Sequence, residues 1–229
     1  KDGYNDNLSW NCGTEGETGD ETVIALRRRQ VKNFACLMFF SQGTPMISGG
    51  DEVMRTQNGN NNVYCQDNPL AWMDWNLSEK NRDMLDFFRK CIELRKRIPL
   101  LMGKNFLEGK NGPAGIPDIT WFGPDGGEVD WNNPEARELA FQLDGNEWSR
   151  DGEDPAPIRK DRRFYFLLNA GSEDKEFILP MLPLGRAWSQ VADTSLQAGE
   201  DFLAQGEERP LLHPRAYRAK SRSVVILKE

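Results

Sequence analysis

The chain changes its punctuation near residue 100, and that change limits the folds open to it. Before it, two long stretches with apolar residues at helical spacing are separated by one short apolar run and by loops rich in Gly, Asn and Asp. After it the apolar runs are short: Ile119-Thr120-Trp121-Phe122, Leu139-Ala140-Phe141, Phe164 to Leu168, Phe177-Ile178-Leu179 and Val224 to Leu227. Gly, Pro, Asn and Asp separate these runs, as they do in antiparallel sandwiches. Helix, strand, long loop, helix is the order of a (β/α)8-barrel segment. The expected fold class is therefore multidomain, α/β followed by all-β: part of a (β/α)8 barrel over residues 1–101, then an antiparallel β-sandwich over residues 102–229.

Residues 1–19 carry no periodicity and read as a loop. Asp20 is placed to cap a helix whose apolar residues are Leu26, Phe34, Leu37, Met38 and Phe40, with Gly43 to end it. Pro45-Met46-Ile47-Ser48 reads as a short strand leading into Gly49-Gly50-Asp51-Glu52. Ser78 is placed to cap a second helix, whose stripe is Met84, Leu85, Phe88, Cys91, Ile92 and the stem of Arg95, and Ile98-Pro99 closes it. Gly145 to Pro157 reads as an acidic loop.

Charge and composition narrow the partners. Lys and Arg total 29 against 36 Asp and Glu, a net −7; with no basic excess to hold phosphates, nucleic acid is not an expected partner. A membrane-spanning helix needs about 18 apolar residues in a row, and no such run is present, so no membrane partner is expected. The first residue is Lys1 rather than Met, so the sequence reads as a cut piece and a missing targeting signal carries no weight. Cys12, Cys36, Cys65 and Cys91 include no C-x-x-C pair. Neither a metal nor a redox cofactor is expected, and the thiols read as reduced and structural in a cytosol-like compartment, or a plastid stroma in a plant or alga. The one histidine, His213, sits among Pro210, Leu211, Leu212 and Pro214 with nothing to orient it for a nucleophilic triad.

Three groups of residues could carry chemistry. Asp51 and Glu52 follow the expected strand directly, where a barrel places its active site. Adjacent carboxylates on a strand point to opposite faces, so the two cannot act as an acid/base couple on one bond. With Arg55 they either shape a sugar pocket or form a structural network that holds the loop. Asn60, Asn61 and Asn62 donate and accept hydrogen bonds as sugar hydroxyls do, and Tyr64 could stack on a pyranose; the same Asn and Gly residues also suit a turn. Trp10, Trp72 and Trp75 could be sugar platforms or could pack loops onto the core, and for Trp72 and Trp75 packing is the better reading.

Residues Asp2-Gly3-Tyr4-Asn5-Asp6-Asn7-Leu8-Ser9-Trp10-Asn11-Cys12-Gly13 resemble the loop after barrel strand seven in isoamylase-type debranching enzymes of the α-amylase superfamily. Ser41 to Met46 with Gly50-Asp51-Glu52 resembles that family's strand eight, and Gly59 to Cys65 the loop after it. Pro117 to Trp121 and Asp130-Trp131 to Phe141 look like the start of its carboxy-terminal β-domain, and Trp188, Asp193-Thr194 and Ser223 to Leu227 like its end. The resemblance implies the terminal segment of the barrel followed by the β-domain. It also implies a parent that hydrolyses α-1,6 branch linkages in glycogen, amylopectin or limit dextrin by a retaining mechanism. The family's nucleophile, acid/base and third carboxylate would precede Lys1, so no catalytic residue is expected here. Substrate contact carries over to Asp51, Glu52, Arg55, Asn60, Asn61, Asn62 and Tyr64, and to Trp10. The implied partners are an α-glucan and the amino-terminal part of the same barrel. Without that part, residues 20–50 and 79–98 are expected to self-associate or to pack on the β-domain. The other reading is a non-catalytic β-sandwich module that binds glucan or stabilises its neighbour.

Overall fold

Two runs in the second half, Phe164 to Leu168 and Val224 to Leu227, are apolar at every position, which requires cover on both faces of a sheet. The computed structural model describes residues 6, 8–103, 105–111, 115–145 and 163–229, and in it both runs receive that cover. Of the segments read above, Asp2 to Asn5, Asn7 and all but the first residue of the acidic loop from Gly145 lie outside the described residues.

Among the described residues eight strands form: β1 (Ile119–Phe122), β2 (Glu138–Asp144), β3 (Arg163–Asn169), β4 (Lys175–Ile178), β5 (Ser189–Asp193), β6 (Arg209–Pro210), β7 (Ala216–Ala219) and β8 (Ser223–Lys228). Six make one sheet in the order β1-β2-β3-β8-β5-β6, and β4 pairs with β7 in a second sheet. Every pairing is antiparallel, with Phe166 opposite Phe141 on one side and Ile226 on the other. Because side chains alternate along a strand, Phe164 and Phe166 of β3 join Val224 and Ile226 of β8 in one core. Tyr165 and Leu167 join Val225 and Leu227 in the other, beneath Phe177 of β4 and beside Trp188. The mostly antiparallel β architecture agrees with the sandwich expected for the second half.

Among the described residues three α-helices precede the sheets: α1 (Glu21–Phe40), the single turn α2 (Leu77–Lys80) and α3 (Arg82–Arg97). Asp20 caps α1 as expected, its carboxylate accepting from the amides of Thr22 and Val23 at 2.8 and 3.4 Å. The inner face of α1 differs from the expected one. Lys32, Asn33, Cys36, Phe39 and Phe40 are buried, whereas Phe34 is 71% exposed and Leu37 also faces out. Two polar residues on the inner side displaced the apparent apolar stripe. On α3 the buried set is Met84, Phe87, Phe88, Cys91, Leu94 and Arg95. Ser78 lies inside α2 rather than capping the longer helix.

The helices cover the sheet face that β4 and β7 leave open. Phe40 of α1 lies 5.4 Å from Phe166, which stacks on Phe141 at 4.5 Å and 9°. Phe87 of α3 meets Phe202 edge-on at 5.4 Å, and Phe39 meets Phe88 between the two helices at 5.9 Å. Of residues 20–50 and 79–98, the segments Ala35 to Phe40 and Met84 to Ile98 thus pack onto the β-sheet through one shared apolar core. Pro45 to Ser48 forms no strand: the segment is unladdered and has no neighbour to pair with among the described residues. A strand is defined by its partner's hydrogen bonds, and local β propensity without a partner leaves the segment as a connector.

Candidate functional site

The loop that carries Asp51 and Glu52 begins where α1 ends. The guanidinium of Arg95, buried on α3, donates to the carbonyls of Phe39, Ser41, Gly43 and Leu101, at 2.8 Å for Ser41 and 2.9 Å for Leu101. It therefore satisfies backbone acceptors left open at the carboxyl end of α1. Burial lowers its pKa from the usual arginine value. Beyond the connector the chain turns sharply at Gly50, whose φ is +104°, and makes one 3-10 turn over Asp51–Val53. A Cβ on Gly50 would fall 2.7 Å from both Cβ and Cδ of Arg55. Glycine is needed there for conformation and for space.

Both acidic side chains turn back onto this turn. Asp51 accepts from the Ser48 amide at 3.1 Å and Glu52 from the Gly50 amide at 2.9 Å. Arg55 donates to the Gly49 carbonyl at 3.3 Å and to the Ala71 carbonyl at 3.0 Å, tying the turn to the loop before α2; its buried Nε has no partner. Val53 is buried, and its carbonyl accepts from Asn81 at 2.8 Å. Arg28 of α1 reaches the same Asn81 at 2.9 Å and binds both carboxylate oxygens of Asp83 at 2.6 Å. Partial burial pushes the Asp83 carboxyl upward, but Arg28's hydrogen bonds and charge outweigh it and hold the group below its ordinary value.

The asparagine cluster is built from consecutive Asx turns. The Asn60 side chain accepts from the Asn62 amide at 2.9 Å, and the Asn62 side chain from the Tyr64 amide at 3.0 Å. Asn61 is exposed, and the Tyr64 ring is 78% exposed. The structure thus brings Asp51, Glu52, Arg55, Asn60, Asn61, Asn62 and Tyr64 onto one loop excursion between the 3-10 turn and α2. The carboxylates bind loop amides, and the loop presents amide groups and a phenol outward.

Trp10 lies elsewhere. It packs under the Arg222 guanidinium, 5.0 Å from the ring, in the turn between β7 and β8. It lines a cavity of about 750 Å3 together with Phe34 and Leu37 of α1 and with Trp131, Leu139 and Arg137. Trp131 was legible only as part of a motif. That it lines the same cavity as Trp10 depends on how α1 packs against the sheet, which no local pattern records. Among the described residues no three His, Cys, Asp or Glu side chains gather as a metal site, and no helix is long and apolar enough to cross a membrane. All four cysteines are unpaired.

A family model for the isoamylase carboxy-terminal domain matches residues 118–228. The glycogen operon protein GlgX homolog of Mycobacterium tuberculosis is 41% identical over 210 residues, 87% of this chain and 28% of that protein. The chloroplastic isoamylase 3 of Oryza sativa subsp. japonica is 36% identical over 228 residues, 99% of this chain and 26% of that protein. The chain spans little more than a quarter of the length of these relatives. Among solved structures, a type I pullulanase from Bacillus subtilis, complexed with maltose, shares the fold with a TM-score of 0.61 at 16% identity, over 93% of this chain and 24% of that one. The order of the loop and strand motifs, the antiparallel domain over the matched residues and these similarities agree: residues 118–228 form an isoamylase carboxy-terminal domain, in a chain similar to isoamylase-type proteins over 87% and more of its length.

Proposed function

We propose that these 229 residues are the carboxy-terminal part of a glycoside hydrolase that cleaves α-1,6 branch linkages in glycogen, amylopectin or limit dextrin. The reading is carried by sequence similarity to a glycogen-operon protein and to isoamylases over 87% and more of the chain. In the whole protein, residues 1–101 would complete a (β/α)8 barrel, α1 and α3 serving as its last two helices. Pro45 to Ser48 would become a strand once neighbouring strands supply its hydrogen bonds. Residues 102–229 would be the β-domain packed beneath.

Retaining glycoside hydrolysis needs two carboxyl groups about 5–5.5 Å apart across the bond. Asp51 and Glu52 do not meet that need, since each is turned onto a backbone amide of its own loop. The catalytic carboxylates would lie outside these residues, in the remainder of the barrel. The part played here is to shape the rim of the site. Arg55 and the acidic pair hold the turn, while Asn61 and Tyr64, together with Asn60 and Asn62, present hydrogen-bonding groups and a ring to a glucan. The enzyme would work in a bacterial cytoplasm or a plastid stroma, where its polymer is stored.

A reducing-sugar assay tests the assignment. The purified chain alone is expected to release no reducing ends from pullulan or amylopectin, whereas the whole parent protein does. In the parent, Tyr64→Ala is expected to raise KM more than it lowers kcat. Turnover by the chain alone, abolished by Asp51→Asn, would overturn the assignment.

A further inference from the structure

We propose that Asn81 is a positioning residue for the substrate rim: with Arg28 and Asp83 it fixes the turn that carries Asp51 and Glu52 and so aims the loop beyond it. The inference rests on the debranching reading above. Asn81 stands at the N-cap position of α3, where an asparagine side chain ordinarily accepts from the amides of the first turn. It makes no such cap. The side chain is buried and turned across the fold instead. Its Nδ2 donates to the Val53 carbonyl at 2.8 Å, and its Oδ1 accepts from Arg28 Nη1 at 2.9 Å. Arg28 Nη2 reaches both carboxylate oxygens of Asp83, in the first turn of α3, at 2.6 Å. Both functions of the Asn81 amide are therefore spent on joining the 3-10 turn to α1, and the charge-assisted bond to Asp83 holds Arg28 in place to receive it.

The turn requires such a hold. Val53 ends it, and the next residue, Met54, has a φ of +59° and a ψ of +42°, the left-handed conformation that a side chain disfavours. A non-glycine residue keeps that conformation only where its surroundings over-determine it. Here Asn81 binds the carbonyl just before Met54, and Arg28 Nη1 lies 3.2 Å from Met54 Sδ. Met54 sets the direction in which the chain leaves for Asn60, Asn61, Asn62 and Tyr64. The Asx turns at Asn60 and Asn62 shape that loop from within, whereas Asn81 and Arg28 tie its root to the two helices. A cap forgone at α3 and a strained backbone at Met54 meet at one contact. Such paired departures from local preference are expected where position matters more than local stability.

Asn81→Asp in the whole parent protein tests this role. The carboxylate keeps the shape of the side chain and its bond to Arg28, and it remains a good helix cap. It cannot donate to the Val53 carbonyl and sets a second acceptor against it. KM for pullulan is expected to rise about tenfold, with kcat changed less, at a temperature where the variant retains its thermal transition. Because Asn81 acts through the loop that bears Tyr64, Asn81→Asp/Tyr64→Ala is expected to raise KM by less than the product of the two single effects. Hydrogen exchange is expected to quicken over residues 50–64 and to stay unchanged in β3 and β8. Asn81→Ala replaces the aspartate variant if that variant loses its thermal transition. An unaltered KM, fully multiplicative effects, or unchanged exchange over the loop would each overturn the proposal. A parent that turns over pullulan with the same KM in Asn81→Asp refutes this role and leaves the debranching reading standing. A parent without turnover refutes that reading, while exchange quickened by Asn81→Asp would still show Asn81 fixing the turn.

Discussion

Lys32 of α1 and Asp201, in the loop after β5, form an ion pair at 2.5 Å with side-chain exposures of only 7% and 5%. The pair bridges the helical layer to the sheet, and Lys32→Met is the perturbation that tests this junction. Methionine keeps the length of the stem and its contact with the Phe87 ring, over which the ammonium sits at 5.6 Å. The substitution therefore removes charge and little else. Asp201 would keep the Gly199 amide on Oδ1 at 3.1 Å, but Oδ2 has no hydrogen-bonding partner apart from the ammonium.

An exposed pair would be worth about 0.2–1 kcal/mol. Breaking a buried one leaves a desolvated charge and costs about 3–5 kcal/mol. The burial of both side chains selects the larger figure, equivalent to a fall in Tm of roughly 6–20 °C for a chain of this size. The double variant Lys32→Met/Asp201→Leu removes the stranded charge and is expected to recover most of the loss. The assay is urea unfolding of the unsubstituted chain, both single variants and the double variant, followed by circular dichroism for the helices and by tryptophan fluorescence for the sheets. The two signals should shift together, because the helices and one sheet face share a core. A cost below about 1 kcal/mol, or a double variant no more stable than Lys32→Met, would refute the reasoning.

Two further outcomes test the helix–sheet packing and a second ion pair. A chain of residues 104–229 retains the cluster around Tyr165, Leu167, Phe177 and Trp188 but loses the helices that cover Phe166 and Ile226; it is expected to melt cooperatively at a lower temperature than the whole, and calorimetry without a transition would place the division elsewhere. Burial pushes the Glu208 carboxyl upward, but the Lys228 bond at 2.6 Å, backbone amides and Lys228's charge outweigh it and hold the group below its ordinary value. Its stabilising contribution is thus complete above the unfolded value of about 4.3 and is lost as pH falls through the lower folded value. Glu208→Gln is expected to flatten the acid limb of a Tm–pH profile, and an unchanged limb would count against the ion pair.

How far the sequence reveals this molecule depends on the range of the interaction that decides each part. The runs from Phe164 and Val224 are apolar at every position, so burial on both faces could be read from them alone. β7 could not: Ala216-Tyr217-Arg218-Ala219 has no apolar run, and it becomes a strand because β4 pairs with it residue by residue. β5 is similarly disguised by Ser189 and Gln190 and by the irregularity between Gln190 and Ala192. The face of α1 was misread for an electrostatic reason. Lys32 and Asn33 look like solvent residues until Asp201, Thr194 and the Arg222 carbonyl are brought to them from more than 160 positions away. The candidate loop divides the same way. Its residue types announced hydrogen bonding, and the Asx turns at Asn60 and Asn62 are local enough to anticipate. The cavity joining Trp10 to Trp131 is different in kind, because it exists only where a loop before α1 and a loop before β2 are brought to the same helix–sheet seam. A hydrogen-bonding loop announces itself in sequence because its partners are its own amides, whereas an aromatic-lined cavity assembled across layers becomes visible only once the core that positions it is in place.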